Sequence, residues 1–213
     1  MILQPGTVTG QARLDSHLLV GVEVAVSLVN ALTCRAQYGR PTKPPQTNPE
    51  LRSAGRLALE SCGLSVRVSD AQARELAHVA AQLRPIFEAL AAGAVDTAAE
   101  LINARLQDYR AHPRLDRHNG QPWHLHFHTS SAGLADAWGA STATGLAVVV
   151  GTNQQHRLGA CDAPVCERVY FDLTRNGSRR FCSIGCQNRV KATAYRNRTA
   201  ERRVTVAAAP SNR

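Results

Sequence analysis

The sequence predicts an α+β protein: a helix-rich N-terminal domain with a short sheet, then a small C-terminal module built on cysteines. Three observations carry this. Apolar residues recur at three- and four-residue spacing between Ser69 and Tyr109, the period of helices with one buried face. Polar and apolar residues alternate from Trp123 to His128, the period of a strand. Four of the six cysteines fall between Cys161 and Cys186, spaced C-x4-C, fifteen residues, C-x3-C. Hydrophobic content of 44% suits a folded chain, and the scarcity of aromatics beside abundant Ala favours helices packed through small side chains.

Taken in order, residues 1–15 are rich in Gly, Gln and Thr and are expected to be poorly ordered. Residues 17–33 form an apolar run that is either a buried helix or a strand leading into one. Leu18 to Leu32 includes Glu23 and Asn30 and is too short to cross a bilayer, so no membrane span is expected and the chain reads as cytoplasmic. Pro41, Pro44, Pro45 and Pro49 mark a loop without regular structure from Gly39 to Pro49. A helix follows from Asn48 or Pro49 to about Ser61, with Gly63 as its stop. Ser69 and Gln72 fit a capping box for the next helix, where Leu76, Val79, Leu83, Phe87 and Leu90 make the apolar face. Pro85 is expected to kink it, and Gly93 ends it. A partner helix spans about Val95 to Tyr109.

Residues 111–121 read as a polar loop. The strand after it puts His124, His126 and His128 on one face and Trp123, Leu125 and Phe127 on the other. Those imidazoles are candidates for a second metal or ligand site, which would open an enzyme or sensor reading. The plainer reading is a partly buried strand face. Ser130 and Ser131 are expected to cap a helix from Ala132 to Val150, and residues 152–157 to be a linker. Cys34 and Cys62 read as buried thiols.

The cysteine spacing points to one structural zinc ion. Zinc takes four thiolates at about 2.3 Å, and two short Cys pairs around a hairpin-sized insert supply them at little cost in chain entropy. Cys161, Cys166, Cys182 and Cys186 are the expected ligands. Residues 168–173 read as a strand, Asn176-Gly177 as a turn, and residues 179–181 as the return strand. Helical composition after Cys182 completes a treble-clef-like zinc finger. Four thiolates leave no open coordination position, so the site reads as structural and the protein as a non-enzyme. The expected division is residues 1–155 as a sensor or regulatory domain, 156–203 as the zinc finger, and 204–213 as a disordered tail.

Charge adds a function class. Residues 157–213 hold twelve Lys or Arg and four Asp or Glu, a net +8, and residues 1–156 hold thirteen and twelve, a net +1. So concentrated a positive field is the footprint of a polyanion binder. On a helical wheel Arg189 falls near the cysteine side, whereas Lys191, Tyr195, Arg198 and Arg202 fall opposite. Lys191, Arg198 and Arg202 are expected phosphate contacts, with Arg179 and Arg180 at the hairpin end. Arg196 is a candidate to read a base, and Arg189 and Asn188 either brace the knuckle or contact nucleic acid.

The zinc segment resembles the CGNR zinc finger family, whose members join this module to an N-terminal ABATE domain and are described as stress-induced transcription regulators. The resemblance lies in the C-x4-C pair, residues 172–176, Ser178-Arg179-Arg180-Phe181-Cys182-Ser183 and Cys186-Gln187-Asn188-Arg189-Val190-Lys191-Ala192. Two positions depart from it: Gln187 stands in place of the name-giving glycine, and Phe181 in place of a common Trp. The N-terminal resemblance rests on Leu28-Val29-Asn30 and the order of elements. The resemblance implies a mixed α/β or α-rich first domain and a transcription regulator that binds double-stranded DNA; the first domain is then expected to sense a small-molecule or metal effector or to contact a partner, and a homodimer would enlarge the contact area. RNA binding, or a basic face for an acidic protein partner, are the alternatives.

Overall fold

Five helices build the N-terminal body of a computed structural model that describes residues 16–117 and 123–207, with side chains from 18 to 199 outside the gap. The helices are α1 (Ser16–Leu32), α2 (Asn48–Glu60), α3 (Asp70–Ala91), α4 (Val95–Asp108) and α5 (Leu134–Gly151). The apolar run near the start is therefore a helix. It is buried at Val22, Val24, Ala25, Leu28 and Val29, because α2, α3 and α5 pack around it. The α1–α5 crossing is close for a simple steric reason. A Cβ on Gly21 would stand 2.7 Å from the Ser141 carbonyl oxygen, and one on Gly145 would stand 2.9 Å from that of Leu18. Backbones meet here where side chains would hold them apart.

The cap of α3 is as expected: Ser69 Oγ accepts from Gln72 N–H at 3.3 Å, and Gln72 Oε1 accepts from Ser69 N–H at 2.9 Å. Pro85 lies inside this helix, which runs on to Ala91 as one element. The cap of α5 differs from expectation. Gly133 is its cap residue and the helix begins at Leu134, because Ser130 and Ser131 are taken up by a turn closed from Ala132 N–H to the Thr129 carbonyl.

Among the described residues, three two-stranded antiparallel sheets accompany the helices. In the proline-marked loop, β1 (Ala36–Gln37) pairs with β2 (Arg40–Pro41) around Tyr38 and Gly39, both at positive φ. The turn chemistry outweighs the proline, which is tolerated on an edge. Residues 114–116, expected to be loop, form β3 (Arg114–Asp116) against β4 (His124–His126), with Asp116 opposite His124 and Arg114 opposite His126.

The largest departure lies beside the cysteines. The partner of β6 (Val169–Phe171) is β5 (Leu158–Ala160), which precedes Cys161, and residues 179–181 form no strand. The knuckle itself is thus the hairpin connection, closed by Cys161 N–H to the Arg168 carbonyl at 2.8 Å. Residues beyond β6 fold onto a buried carboxylate. Asp172 accepts from Thr174 N–H at 2.9 Å and from Arg179 N–H at 2.8 Å, taking the donor that a return strand would have used. Burial alone would raise this carboxyl, but these hydrogen bonds and the nearby Arg157 charge outweigh it and hold it below its ordinary 3.8.

Leu158, Val169 and Phe171 belong to the same apolar core as the helices. One polar side chain fastens the sheet to α1. Asn30, buried within the helix, donates to the Val169 carbonyl at 2.9 Å and accepts from Val169 N–H at 2.8 Å, as a pairing strand would. The last helix, α6 (Ile184–Ala207), starts within the module, with Cys186 and Val190 in the small apolar cluster around the cysteines.

Candidate metal centre and basic helix

Each element at the metal centre delivers its cysteine for a local reason. Cys161 directly follows β5, and Cys166 follows Val165, whose φ of +56° turns the knuckle back towards β6. Cys182 precedes α6, and Cys186 sits in its first turn with its backbone N–H donating to Ser183 Oγ at 3.2 Å. The four sulfurs lie within 4.8 Å of one another. Cys166 to Cys182 is 3.8 Å, Cys182 to Cys186 is 3.6 Å, and Cys186 to Cys166 is 3.8 Å. A tetrahedron with about 2.3 Å metal–sulfur bonds has edges of about 3.8 Å, so the donor set fits one zinc ion. A small apolar cluster of Ala163, Phe181 and Val190 screens it.

Three of these thiols are shifted by their surroundings. Burial raises the Cys161 thiol, and burial together with the neighbouring cysteines raises Cys182 further. Burial acts on Cys186 too, but hydrogen bonds from Ser183 and the other cysteines outweigh it and bring that thiol down to about 7. Among the described residues these four cysteines are the set that converges on one point.

The histidine strand is arranged differently. His126 turns Nε2 to His124 Nε2 at 2.9 Å and Nδ1 to His128 Nε2 at 3.2 Å, so its two nitrogens face opposite neighbours. His128 Nδ1 lies 2.9 Å from the Thr129 carbonyl. The three half-buried rings meet at a tilt and edge-on, with His124 opposite Asp116 and His126 opposite Arg114, and their donors do not meet at one centre.

The basic residues divide into two groups. Arg179 is committed within the module: its Nε donates to the Phe181 carbonyl at 2.8 Å, its Nη1 to the Phe171 carbonyl at 3.3 Å and its Nη2 to the Cys182 carbonyl, and it stacks on Tyr170. Arg189 Nη2 donates to Cys186 Sγ at 3.1 Å. Arg180 is 73% exposed and pairs with Asp162 at 2.7 Å. Lys191, Tyr195, Arg196 and Arg198 are all exposed along α6, with Arg196 also reaching Thr193 Oγ1 at 3.2 Å. Arg202 lies on the same helix, and its side chain is outside the described residues.

Two structural residues escaped the sequence reading. Asp172 organises the loop that leads to Cys182, and Asn30 holds β6. Asn30 had a visible signal, a lone amide in an apolar run. Asp172 had only its place in the stretch, residues 172–176, that resembles the zinc finger family.

No curated protein matches the chain. The family model for the CGNR zinc finger matches residues 157–199. The ABATE model, described as "Putative stress-induced transcription regulator", matches residues 23–152, more than half of the chain. With five helices ahead of a four-cysteine centre, the chain belongs to the ABATE family and carries a C-terminal CGNR zinc finger.

Proposed function

We propose that this protein is a zinc-containing, DNA-binding transcription regulator. Its zinc holds the knuckle and the start of α6 rigid, and α6 meets double-stranded DNA. One observation carries the reading. From Lys191 to Thr199 the helix is exposed almost all round, and α6 carries six Lys or Arg against Glu201 alone. A polar helix without a packing face gains little from burial, and its charge suits a phosphate backbone. Lys191, Arg196 and Arg198 are the contacts the exposed side chains favour, with Arg180 close to the zinc end. An exposed Arg–Asp pair such as Arg180–Asp162 costs little to exchange for a phosphate. Arg179 and Arg189 act in this reading from within, by fixing the carbonyls and a sulfur around the metal.

The regulatory half of the reading is supported by a cavity of about 480 Å3 where the two parts meet, lined by Thr33, Arg35, Pro44, Arg84, Glu88 and Glu167. A small effector there would touch α1, α3 and the residue after Cys166 at once. A closed four-sulfur centre without an exchangeable position gives no support to an enzyme. No described helix is long and apolar enough to cross a membrane.

The experiment is a titration of labelled duplex DNA with zinc-loaded protein across a salt series. Contact with four to six phosphates predicts a log–log slope of about −4 to −5. Binding that ignores salt, or no binding, would overturn the proposal, and stronger competition by structured RNA would redirect it to RNA.

A further inference from the structure

The zinc knuckle is covered by a hairpin from the far end of the sequence. Gly39 N–H donates to the Val165 carbonyl at 3.0 Å, and Glu167 N–H donates to the Ala36 carbonyl at 2.9 Å. The β1–β2 hairpin therefore lies along residues 165–167, on either side of the ligand Cys166. Arg168 fastens it from the side, donating to Gln37 Oε1 at 2.9 Å and lying 5.1 Å over the Tyr38 ring.

A single guanidinium joins this hairpin to the metal centre. Arg189 bonds to Cys186 Sγ through Nη2 and rests its Nε and Cζ on the Gly39 backbone. A Cβ on Gly39 would stand 2.6 Å from Nε and 3.0 Å from Cζ. Gly39 also has a φ of +80°, which side chains other than hydrogen rarely adopt. Two requirements, one of conformation and one of space, thus coincide at the residue that touches Arg189.

The chemistry of the centre gives this contact a purpose. Four thiolates around Zn2+ carry a net charge of −2, and a guanidinium hydrogen-bonded to one sulfur offsets part of it. Groups that fix the ligands of a metal site are worth about ten- to a hundredfold in metal affinity. The metal fixes Cys186 Sγ, Cys186 Sγ fixes Arg189, and Arg189 fixes the hairpin tip.

We infer that the β1–β2 hairpin and Arg189 form a clasp belonging to the zinc site, so that zinc retention and docking of the hairpin each depend on the other. The inference rests on zinc binding at the four cysteines and does not require DNA binding. Coupling of this kind is reciprocal: whatever the docked hairpin adds to zinc affinity, zinc adds to docking. The N-terminal domain thereby holds a direct grip on the module that carries α6.

The test uses the zinc-loaded full chain and reads zinc transfer to a chromophoric chelator. Gly39→Ala and Arg189→Met are expected to release zinc at least tenfold faster than wild type, and Arg189→Lys to fall between. Gly93→Ala is the control, because Gly93 has a similar φ of +76° with nothing within 4 Å, and its zinc release should stay at the wild-type rate. Hydrogen exchange on the wild-type chain gives the reverse reading without any substitution. Removing zinc should deprotect the Gly39 and Glu167 amides while the middle of α3 stays protected. Wild-type release rates in both Gly39→Ala and Arg189→Met, or hairpin amides indifferent to zinc, would overturn the clasp. A wild-type chain that retains no zinc would instead refute the metal site on which it rests.

Discussion

Replacing Asn30 by Ala removes a side chain that ties α1 to the backbone of β6 through two hydrogen bonds. Val169 is 1% exposed, so its N–H and carbonyl would both lose a partner with no access to water. Each buried backbone group left unsatisfied costs about 1–3 kcal/mol, which puts the substitution at about 2–6 kcal/mol. With total stability of domains at about 5–15 kcal/mol, this is a large fraction. At about 2–4 °C per kcal/mol for a chain of this size, it corresponds to a melting temperature lower by about 10 °C. Urea unfolding at saturating zinc measures it, with zinc held constant so that the metal does not mask the loss. Asn30→Asp sharpens the reasoning. It keeps an acceptor for the Val169 N–H but loses the donor and sets a buried carboxylate against the Val169 carbonyl, so it should destabilise at least as much. A loss below about 1 kcal/mol in Asn30→Ala would refute the idea that these two bonds hold the module to the helices.

Three further outcomes follow from the same geometry. Metal analysis should find one zinc per chain, lost in Cys161→Ser and kept in His126→Ala; two metals per chain would return the histidine strand to consideration. Zinc affinity should fall as pH falls. The Cys161 and Cys182 thiols lie above their ordinary 9.0, so loading at neutral pH expels at least two protons, and a competition titration should show at least about a hundredfold loss per pH unit. Asp172 carries acid sensitivity of its own. Because its carboxyl is depressed in the fold, its contribution is complete above 3.8 and is lost as pH drops through the lower folded value. Asp172→Asn should therefore lose about 1–3 kcal/mol at neutral pH and show a flatter decline below pH 4 than wild type.

Helices and ligands were legible in the sequence because their signals are local. Ser69 and Gln72 cap α3 through residues three apart, and the cysteine pairs declare themselves by spacing. The sheet beside the zinc was misjudged because Val169 to Phe171 had two candidate partners, and the Asn176-Gly177 dipeptide favoured the later one. What decided otherwise is the Asp172 carboxylate, which captures Arg179 N–H, and the knuckle, which serves as the turn for β5 and β6. The division of the basic residues was hidden for a similar reason. Arg179 reads as surface charge in one dimension and Arg189 as either a brace of the knuckle or a nucleic-acid contact, and only the folded module shows three carbonyls and a sulfur that take their donors. The grip of Gly39 and Asn30 on residues 165–169 joins opposite ends of the chain, and no local pattern encodes it.

The central claim is that the exposed cations of α6 bind DNA while the arginines inside the module only shape it. Fluorescence anisotropy with labelled duplex DNA, comparing zinc-loaded wild type with Lys191→Ala/Arg196→Ala/Arg198→Ala, tests it most directly. The triple variant is expected to keep its zinc and its helical content, bind at least tenfold more weakly, and show a salt slope reduced by about 2.7, the loss of three phosphate contacts. Wild-type affinity with an unchanged salt slope in that variant would contradict the account.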